Sequence, residues 1–218
     1  MTTETTRNSI ASSAESELPD YLGSNLSQPP RYTRVRRPQI PLSYSFTPGD
    51  DLNTMMMMPP EESDDRGQYR VSVSLNLNPF VPFSYRTTVH RVEEAHESFI
   101  GDFELSPNQR RAILTIGDTT ARLSDVMYAT ASRHWLWNWE GVGLRWDCRV
   151  TLEDGSPMCI CYTRAESPAQ LATFVPPPLD APPPLPHAVL TIFPDGHHSF
   201  DHILLSALIV QRKLALDY

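Results

Sequence analysis

The chain has 218 residues and a formal net charge of -8, with 18 Lys and Arg against 26 Asp and Glu. Its length predicts one folded domain with a tail. The acidic balance argues against a general nucleic-acid-binding protein, because phosphate contacts need a basic surface. The sequence shows no signal-peptide pattern, no apolar stretch of transmembrane length and an odd number of cysteines. We therefore expect an intracellular protein of the cytosol or nucleus.

Residues 1–66 are rich in Ser, Thr, Pro and acidic side chains and contain few large apolar residues. Such a composition cannot offset the entropy lost on ordering, so it predicts a mostly disordered tail. Residues 42–46 are the one segment that could add a strand. The methionine run at residues 55–58 fits either a recognition segment or low-complexity sequence. A basic cluster is a candidate docking site for an acidic partner or an anionic membrane surface, or else a solvated linker; it consists of Arg31, Arg34, Arg36 and Arg37.

A period-two pattern begins at Tyr69 and predicts a series of β-strands. Residues 69–77 and 83–89 alternate apolar and polar side chains around a Pro-containing turn, which indicates a hairpin. A second hairpin is predicted at Asp154-Gly155, because a glycine supplies the positive φ of a tight reversal. Residues 124–132 fit a strand or a short helix. The remaining predicted strands are residues 98–105, 112–116, 120–123, 134–139, 144–150, 158–162, 171–175 and 188–193.

The C-terminal segment, residues 199–216, predicts a helix that must be enclosed. Between residues 203 and 210 only Ser206 and Ala207 are not large aliphatics, so apolar side chains face almost every direction. The segment is too short to span a bilayer. Nine or ten strands and one such helix favour an antiparallel β-barrel around the helix, since a two-layer sandwich leaves no room inside. The predicted core includes Trp135, Trp137, Trp139, Trp146, Ile203, Leu204, Leu205, Leu208 and Ile209.

The sequence contains few residues in patterns that carry chemistry. Three cysteines lie on the predicted hairpin at positions 148, 159 and 161, without the four-ligand pattern of a thiolate metal site. His198 and His202 have the i, i+4 spacing of metal ligands, but the glutamate of a zinc protease motif is absent. Asp201 is better suited to capping the helix. No nucleophile elbow or phosphate-binding glycine loop is present. We therefore expect no catalytic site, no metal and no cofactor.

Several pieces of the chain resemble an uncharacterised domain family of mushroom-forming fungi. They are Tyr69-Arg-Val-Ser-Val, Tyr85-Arg-Thr-Thr-Val-His-Arg91, Trp137-Asn-Trp139, Leu144-Arg-Trp146 and the segment from Phe200 to Lys213. The order of elements over residues 67–218 also resembles the tubby-like barrel class, which includes tubby C-terminal domains, plant LURP-one-related proteins and phospholipid scramblases. This resemblance implies a twelve-stranded barrel around a hydrophobic C-terminal helix, and it brings no catalytic residue. Tubby domains bind phosphoinositides and scramblase relatives associate with membranes, whereas this chain is acidic.

Two functions are consistent with these patterns. The first is a non-enzymatic intracellular barrel that binds a protein partner or a membrane surface. The alternative is a small enzyme or an apolar-ligand carrier that uses a pocket at the mouth of the barrel. A sizeable apolar pocket beside the helix, with converging polar groups, favours the alternative. The sequence gives no indication of the oligomeric state.

Overall fold

A computed structural model describes residues 38–60, 67–77, 83–93, 96–105, 112–178 and 180–216, all within the compact unit Arg37–Tyr218. Thirteen strands in these residues form one antiparallel sheet. The elements are β1 Leu42–Pro48, β2 Thr54–Met58, β3 Gln68–Asn76, β4 Ser84–Glu93, β5 His96–Leu105, β6 Ile113–Ile116, β7 Thr119–Arg122, α1 Leu123–Val126, β8 Met127–Ala131, β9 His134–Trp139, β10 Val142–Thr151, β11 Pro157–Thr163, β12 Gln170–Val175, β13 Val189–Ile192, a 3₁₀ turn Pro194–Ser199 and α2 Phe200–Leu216.

The sheet is a meander whose first and last strands meet in its middle. Its order is β7-β6-β5-β4-β3-β2-β1-β13-β12-β11-β10-β9-β8, so that only the β1–β13 pair joins strands distant in sequence. The two outermost strands, β7 and β8, are joined by the four residues of α1. A helix of that length spans only about 6 Å, so the sheet curves back until its two edges are neighbours. Among the described strands the hydrogen-bond ladder stays open between β7 and β8.

Helix α2 lies inside this curved sheet. Every side chain from residue 203 to residue 210 is at most 3% exposed. Contacts reach α2 from both halves of the sheet: Phe200 packs against Tyr44 of β1, and Ser206 bonds to Trp146 of β10. On β5, a Cβ added to Gly101 would lie 2.9 Å from the Leu205 side chain and 2.5 Å from a backbone oxygen. The glycine therefore lets α2 approach β5 closely.

The tryptophans form much of the wall around α2. Trp135, Trp137 and Trp139 occupy one face of β9 and are all buried, as is Trp146 on the neighbouring β10. The indole Nε1 of Trp146 donates a 2.9 Å hydrogen bond to the Ser206 hydroxyl, which donates in turn to the carbonyl of Ile203. The remaining predicted core residues of α2 are also buried, namely Ile203, Leu204, Leu205, Leu208 and Ile209.

Strands β1 and β2 lie inside the stretch for which the sequence predicts a tail. Tyr44 and Phe46 of β1 and Met57 of β2 are buried, and Phe46 pairs directly with Met57. Strand β1 includes the segment 42–46 that the sequence allows as a strand, and β2 lies where the sequence indicates tail; together they supply two central strands of the sheet. The predicted docking cluster, Arg31, Arg34, Arg36 and Arg37, lies outside the described residues.

Other local predictions are confirmed, with one ambiguity resolved. Strands β3 and β4 pair as a hairpin, and Gly155 has a φ of +86° in the β10–β11 turn. Residues 124–132 contain the end of α1 and all of β8, so both interpretations of that segment hold in part. The structure has thirteen strands, and the sequence predicts ten. The three additional strands are β1, β2 and β8. No helix within the described residues is long and apolar enough to cross a membrane.

The position of β1 and β2 predicts where the chain can be shortened. A fragment of residues 38–218 should unfold cooperatively, whereas a fragment of residues 67–218 should not. The shorter fragment removes the hydrogen-bonded neighbours of β3 and β13 and uncovers Phe200. Thermal unfolding followed by circular dichroism measures the difference. A soluble, cooperative 67–218 fragment would show that β1 and β2 are accessory strands.

The buried Trp146–Ser206 hydrogen bond gives a second stability test. Changing Ser206→Ala leaves the indole N–H without its acceptor, which should lower the free energy of unfolding by about 1–3 kcal/mol. The double variant Trp146→Phe/Ser206→Ala should lose less stability than the sum of the losses in the two single variants, because the hydrogen bond is lost only once. Urea denaturation of the four proteins measures this coupling. Additive effects would mean that the bond contributes nothing to stability.

Candidate functional site

Three adjacent cavities lie at the C-terminal end of α2, and we call them together the mouth. The central cavity, of about 260 Å³, lies between α2, strands β2–β5 and the proline-rich segment after β12. A cavity of about 140 Å³ shares Thr87, Phe103, Arg212 and Ala215 with it. A third, of about 420 Å³, shares Met55, Pro177, Leu185 and Gln211.

The walls of the central cavity are mainly apolar and follow from strand alternation. Val71 and Val73 lie on the inner face of β3, and Phe103 lies on the inner face of β5. From α2, Leu208 and Ala215 line the same space, about two turns apart along a single side of the helix. Three polar side chains join them, namely Thr87, Gln211 and Arg212.

Arg212 stands out among these polar groups because it is the charged one, and it lines both the central and the smallest cavity. Burial lowers the pKa of its guanidinium, while Tyr85 acts in the opposite sense. An arginine nevertheless stays protonated at neutral pH. No carboxylate of the described residues forms an ion pair with it. The central cavity is therefore lined by a half-buried cation that forms no ion pair with a carboxylate of the described residues.

The β3–β4 hairpin extends past the end of α2. Tyr85 lines the same cavity as Leu216, the last residue of α2, and pairs with Leu75 across the hairpin. Leu77 and Phe83 lie farther along the hairpin and are 78% and 54% exposed. We call this exposed inner surface the apolar rim; it consists of Leu75, Leu77, Phe83, Tyr85 and Leu216.

The outer face of the same hairpin is stiffened by a polar network. Glu104 of β5 accepts hydrogen bonds from Asn76 and Ser84, and these bonds hold the pKa of its carboxyl below the usual range. Arg86 forms an ion pair with the buried Asp102 next to it. These bonds tie β3, β4 and β5 together. They hold the end of the hairpin in an extended position past the last turn of α2.

The N-terminal end of α2 is closed by different contacts. Asp201 lies in the first turn and accepts a 3.1 Å hydrogen bond from Arg91, which also donates to the Tyr69 hydroxyl. Burial raises the pKa of that hydroxyl to about 12, against the lowering effect of Arg91. Phe200 stacks on the Tyr69 ring. Asp201 therefore ties α2 to β4 through a side chain, beyond the helix-end role that the sequence predicts.

The histidines and cysteines singled out in the sequence are not brought together as a chemical site. His202 packs against Trp137, while His197 and His198 lie in the preceding 3₁₀ turn. All three cysteines are buried, and burial raises the pKa of Cys148 and Cys161. No group of three metal-ligating side chains is arranged around a common point in the described part of the chain.

The sequence patterns do not single out Arg212 as a site residue. Arg212 and Lys213 both lie toward the carbonyl end of the helix, where cations are favourable, so neither needs a further explanation at the level of sequence. The spacing along the helix could have distinguished the two cations. Arg212 follows Leu208 by four residues and therefore lies on the same side of α2. Lys213 lines none of the three cavities.

The match to a protein family covers most of this region. A model described as a family of unknown function, DUF6593, matches residues 57–215. The chain belongs to that family. The DUF6593 match begins at Met57 within β2 and ends at Ala215, and it therefore includes both the inward face of α2 and the β3–β4 hairpin. No curated protein and no solved structure shows significant similarity to the chain.

His202 predicts how stability depends on pH. Burial lowers the pKa of its imidazole, against the raising effects of Asp201 and Glu140. The unfolded chain therefore binds a proton to this residue at a higher pH than the folded protein does. Stability should fall as the pH drops from about 7 toward 5, starting near the unfolded pKa of about 6.5.

Urea denaturation at several pH values measures this effect, and His202→Gln is the matched control. The variant should lose stability more gradually over the same interval, because the proton uptake at position 202 is gone. An identical pH slope in the variant would assign the effect to other groups.

Proposed function

We propose that the protein is a non-enzymatic binding module that docks on a membrane surface through the apolar rim. The observation that carries this proposal is the exposure of five large apolar side chains at one end of the fold, two of them more than half exposed. Contiguous exposed apolar surface of this kind marks sites of membrane or protein contact. The polar network on the outer face keeps the rim extended, so these side chains do not fold back over α2.

A membrane fits the rim better than a protein partner does. A stable protein interface buries about 800 Å² on each side, which exceeds what five partly exposed side chains supply. A bilayer needs only side chains that reach the boundary between headgroups and acyl chains, where an aromatic ring such as that of Tyr85 is favourable. The net charge of -8 opposes anionic lipids, so the surface we propose is zwitterionic.

The same proposal extends to the fold and its setting. The curved sheet around α2 supports assignment to the tubby-like barrel class, with the open β7–β8 seam as a departure from a closed barrel. We also propose that the family belongs to mushroom-forming fungi and that this protein acts in the cytosol or nucleus. Three reduced, buried cysteines are consistent with that compartment.

A ligand carrier is a second candidate function, and the central cavity of about 260 Å³ favours it. An enzyme fits this central cavity less well. Thr87, Gln211 and Arg212 can orient a bound molecule, but none of them is a general base at neutral pH. The described polar side chains of the central cavity therefore suit binding a molecule better than transforming it.

Sedimentation with phosphatidylcholine vesicles tests membrane docking. The wild-type protein should co-sediment, and the double variant Leu77→Asp/Phe83→Asp should stay in the supernatant. Burying each of these side chains is worth about 1.5–3 kcal/mol, so their loss should reduce the bound fraction at least tenfold. Adding anionic lipid should not strengthen the binding.

Phe99→Asp is the matched control, because Phe99 is 40% exposed on β5 near the opposite end of α2. This variant should bind vesicles as the wild type does. Equal binding by the rim variant and the control, or a wild-type protein that never sediments, would overturn the proposal. In the second case the rim would instead be a surface for a protein partner.

A further inference from the structure

We propose that the cavity around Arg212 binds a single-chain fatty acid, with the carboxylate on the guanidinium and the hydrocarbon chain along the apolar wall. This site differs from the apolar rim and does not require membrane docking. The ligand class follows from three features of the mouth: its charge, its polar groups and its shape.

The positive charge of Arg212 favours a negatively charged ligand in the cavity. Arg212 is half-buried between two cavities and has no carboxylate partner within the described residues. Removing a cation from water without a counter-charge is unfavourable, and a bound anion would reverse that cost. The guanidinium presents two parallel N–H groups, which match the two oxygens of a carboxylate.

The other polar groups favour a single negative charge. Among the described residues, the polar side chains that line the central cavity besides Arg212 are the Gln211 amide and the Thr87 hydroxyl. A phosphate dianion would need more cationic partners than this. Asp50 and Asp51 line the neighbouring 420 Å³ cavity, and their carboxylates would repel a second negative charge. A monocarboxylate is therefore the anion that this arrangement fits best.

The shape of the cavity favours one hydrocarbon chain. Its volume of about 260 Å³ is enough for roughly nine groups the size of a water molecule. Val71, Phe103 and Leu208 provide the apolar wall. Residues shared with the 420 Å³ cavity give a longer chain a continuous apolar path past Met55 and Leu185. Two acyl chains would exceed the central cavity.

Arg212 could instead serve only to stabilise the carbonyl end of α2. Lys213 occupies the adjacent position on the same turn and lines none of the three cavities. A purely helix-stabilising role should therefore be shared by the two cations. Binding a carboxylate in the cavity should depend on Arg212 alone, and this difference makes Lys213→Gln the matched control.

Isothermal titration calorimetry with sodium decanoate, below its micelle concentration, tests the site on the full chain. The wild-type protein should bind decanoate saturably. Arg212→Gln should weaken binding by about 10- to 100-fold, the usual range for a charge-assisted hydrogen bond. Lys213→Gln should leave binding unchanged. Between octanoate and decanoate the affinity should rise about fourfold for each added methylene group.

Two further comparisons locate the chain and identify the head group. Ala215→Phe places a ring in the central cavity from an exposed position on α2, and it should reduce decanoate binding. Decanol should bind more weakly than decanoate to the wild type and equally to Arg212→Gln. Unchanged thermal unfolding of each variant, followed by circular dichroism, shows that the fold is kept.

Several results would overturn the proposal. These are an absence of saturable decanoate binding, equal effects of Arg212→Gln and Lys213→Gln, or tighter binding of decyl phosphate than of decanoate. The rim variant Leu77→Asp/Phe83→Asp separates the two proposals. It should lose vesicle binding while keeping decanoate binding in solution, and Arg212→Gln should show the reverse.

Discussion

The fold depends on one constraint, which is that the apolar side chains of α2 must be covered on every side. A helix satisfies its own backbone hydrogen bonds, so its enclosure needs only apolar contact around the block at residues 203–210. One flat sheet covers a single side of a helix. A sheet that curves until β7 and β8 are neighbours covers all of them, and the short α1 makes that curvature obligatory. Gly101 and the tryptophans of β9 and β10 then adjust the wall to the helix.

The mouth arises because α2 and the β3–β4 hairpin end at different heights. As far as Val71 and Val89 the inner face of the hairpin is fully buried, whereas Leu77 and Phe83 beyond the helix are exposed. The cavity around Arg212 lies at the level where this change occurs. The same alternation of apolar and polar residues thus places buried side chains at one end of the hairpin and an exposed apolar surface at the other.

Much of the architecture could be predicted from local patterns. Alternation identified β3, β4 and β10, and the all-round apolar segment identified an enclosed helix. Strand β1 was expected only as a possible exception within the tail at residues 42–46, because the average composition of residues 1–66 is tail-like. Strand β2 was missed because Met55–Met58 looks like low complexity. Pairing across 148 residues, as between Ser43 and Thr191, leaves no mark in either local sequence. The inward direction of Leu75 and Leu77 was predictable, but their exposure depends on where another element ends.

The two ends of α2 differ in a way that bears on function. At its start the acidic Asp201 has a partner in Arg91, and aromatic rings from β1 and β3 close over Phe200. At its end Arg212 faces apolar walls, and no acidic group of the described residues satisfies it. A fold that needed only to enclose the helix would be served by an apolar or a paired residue at that position, because partly burying a cation without an ion pair is unfavourable. The asymmetry therefore favours the C-terminal end of α2 as the place where the protein meets its ligand.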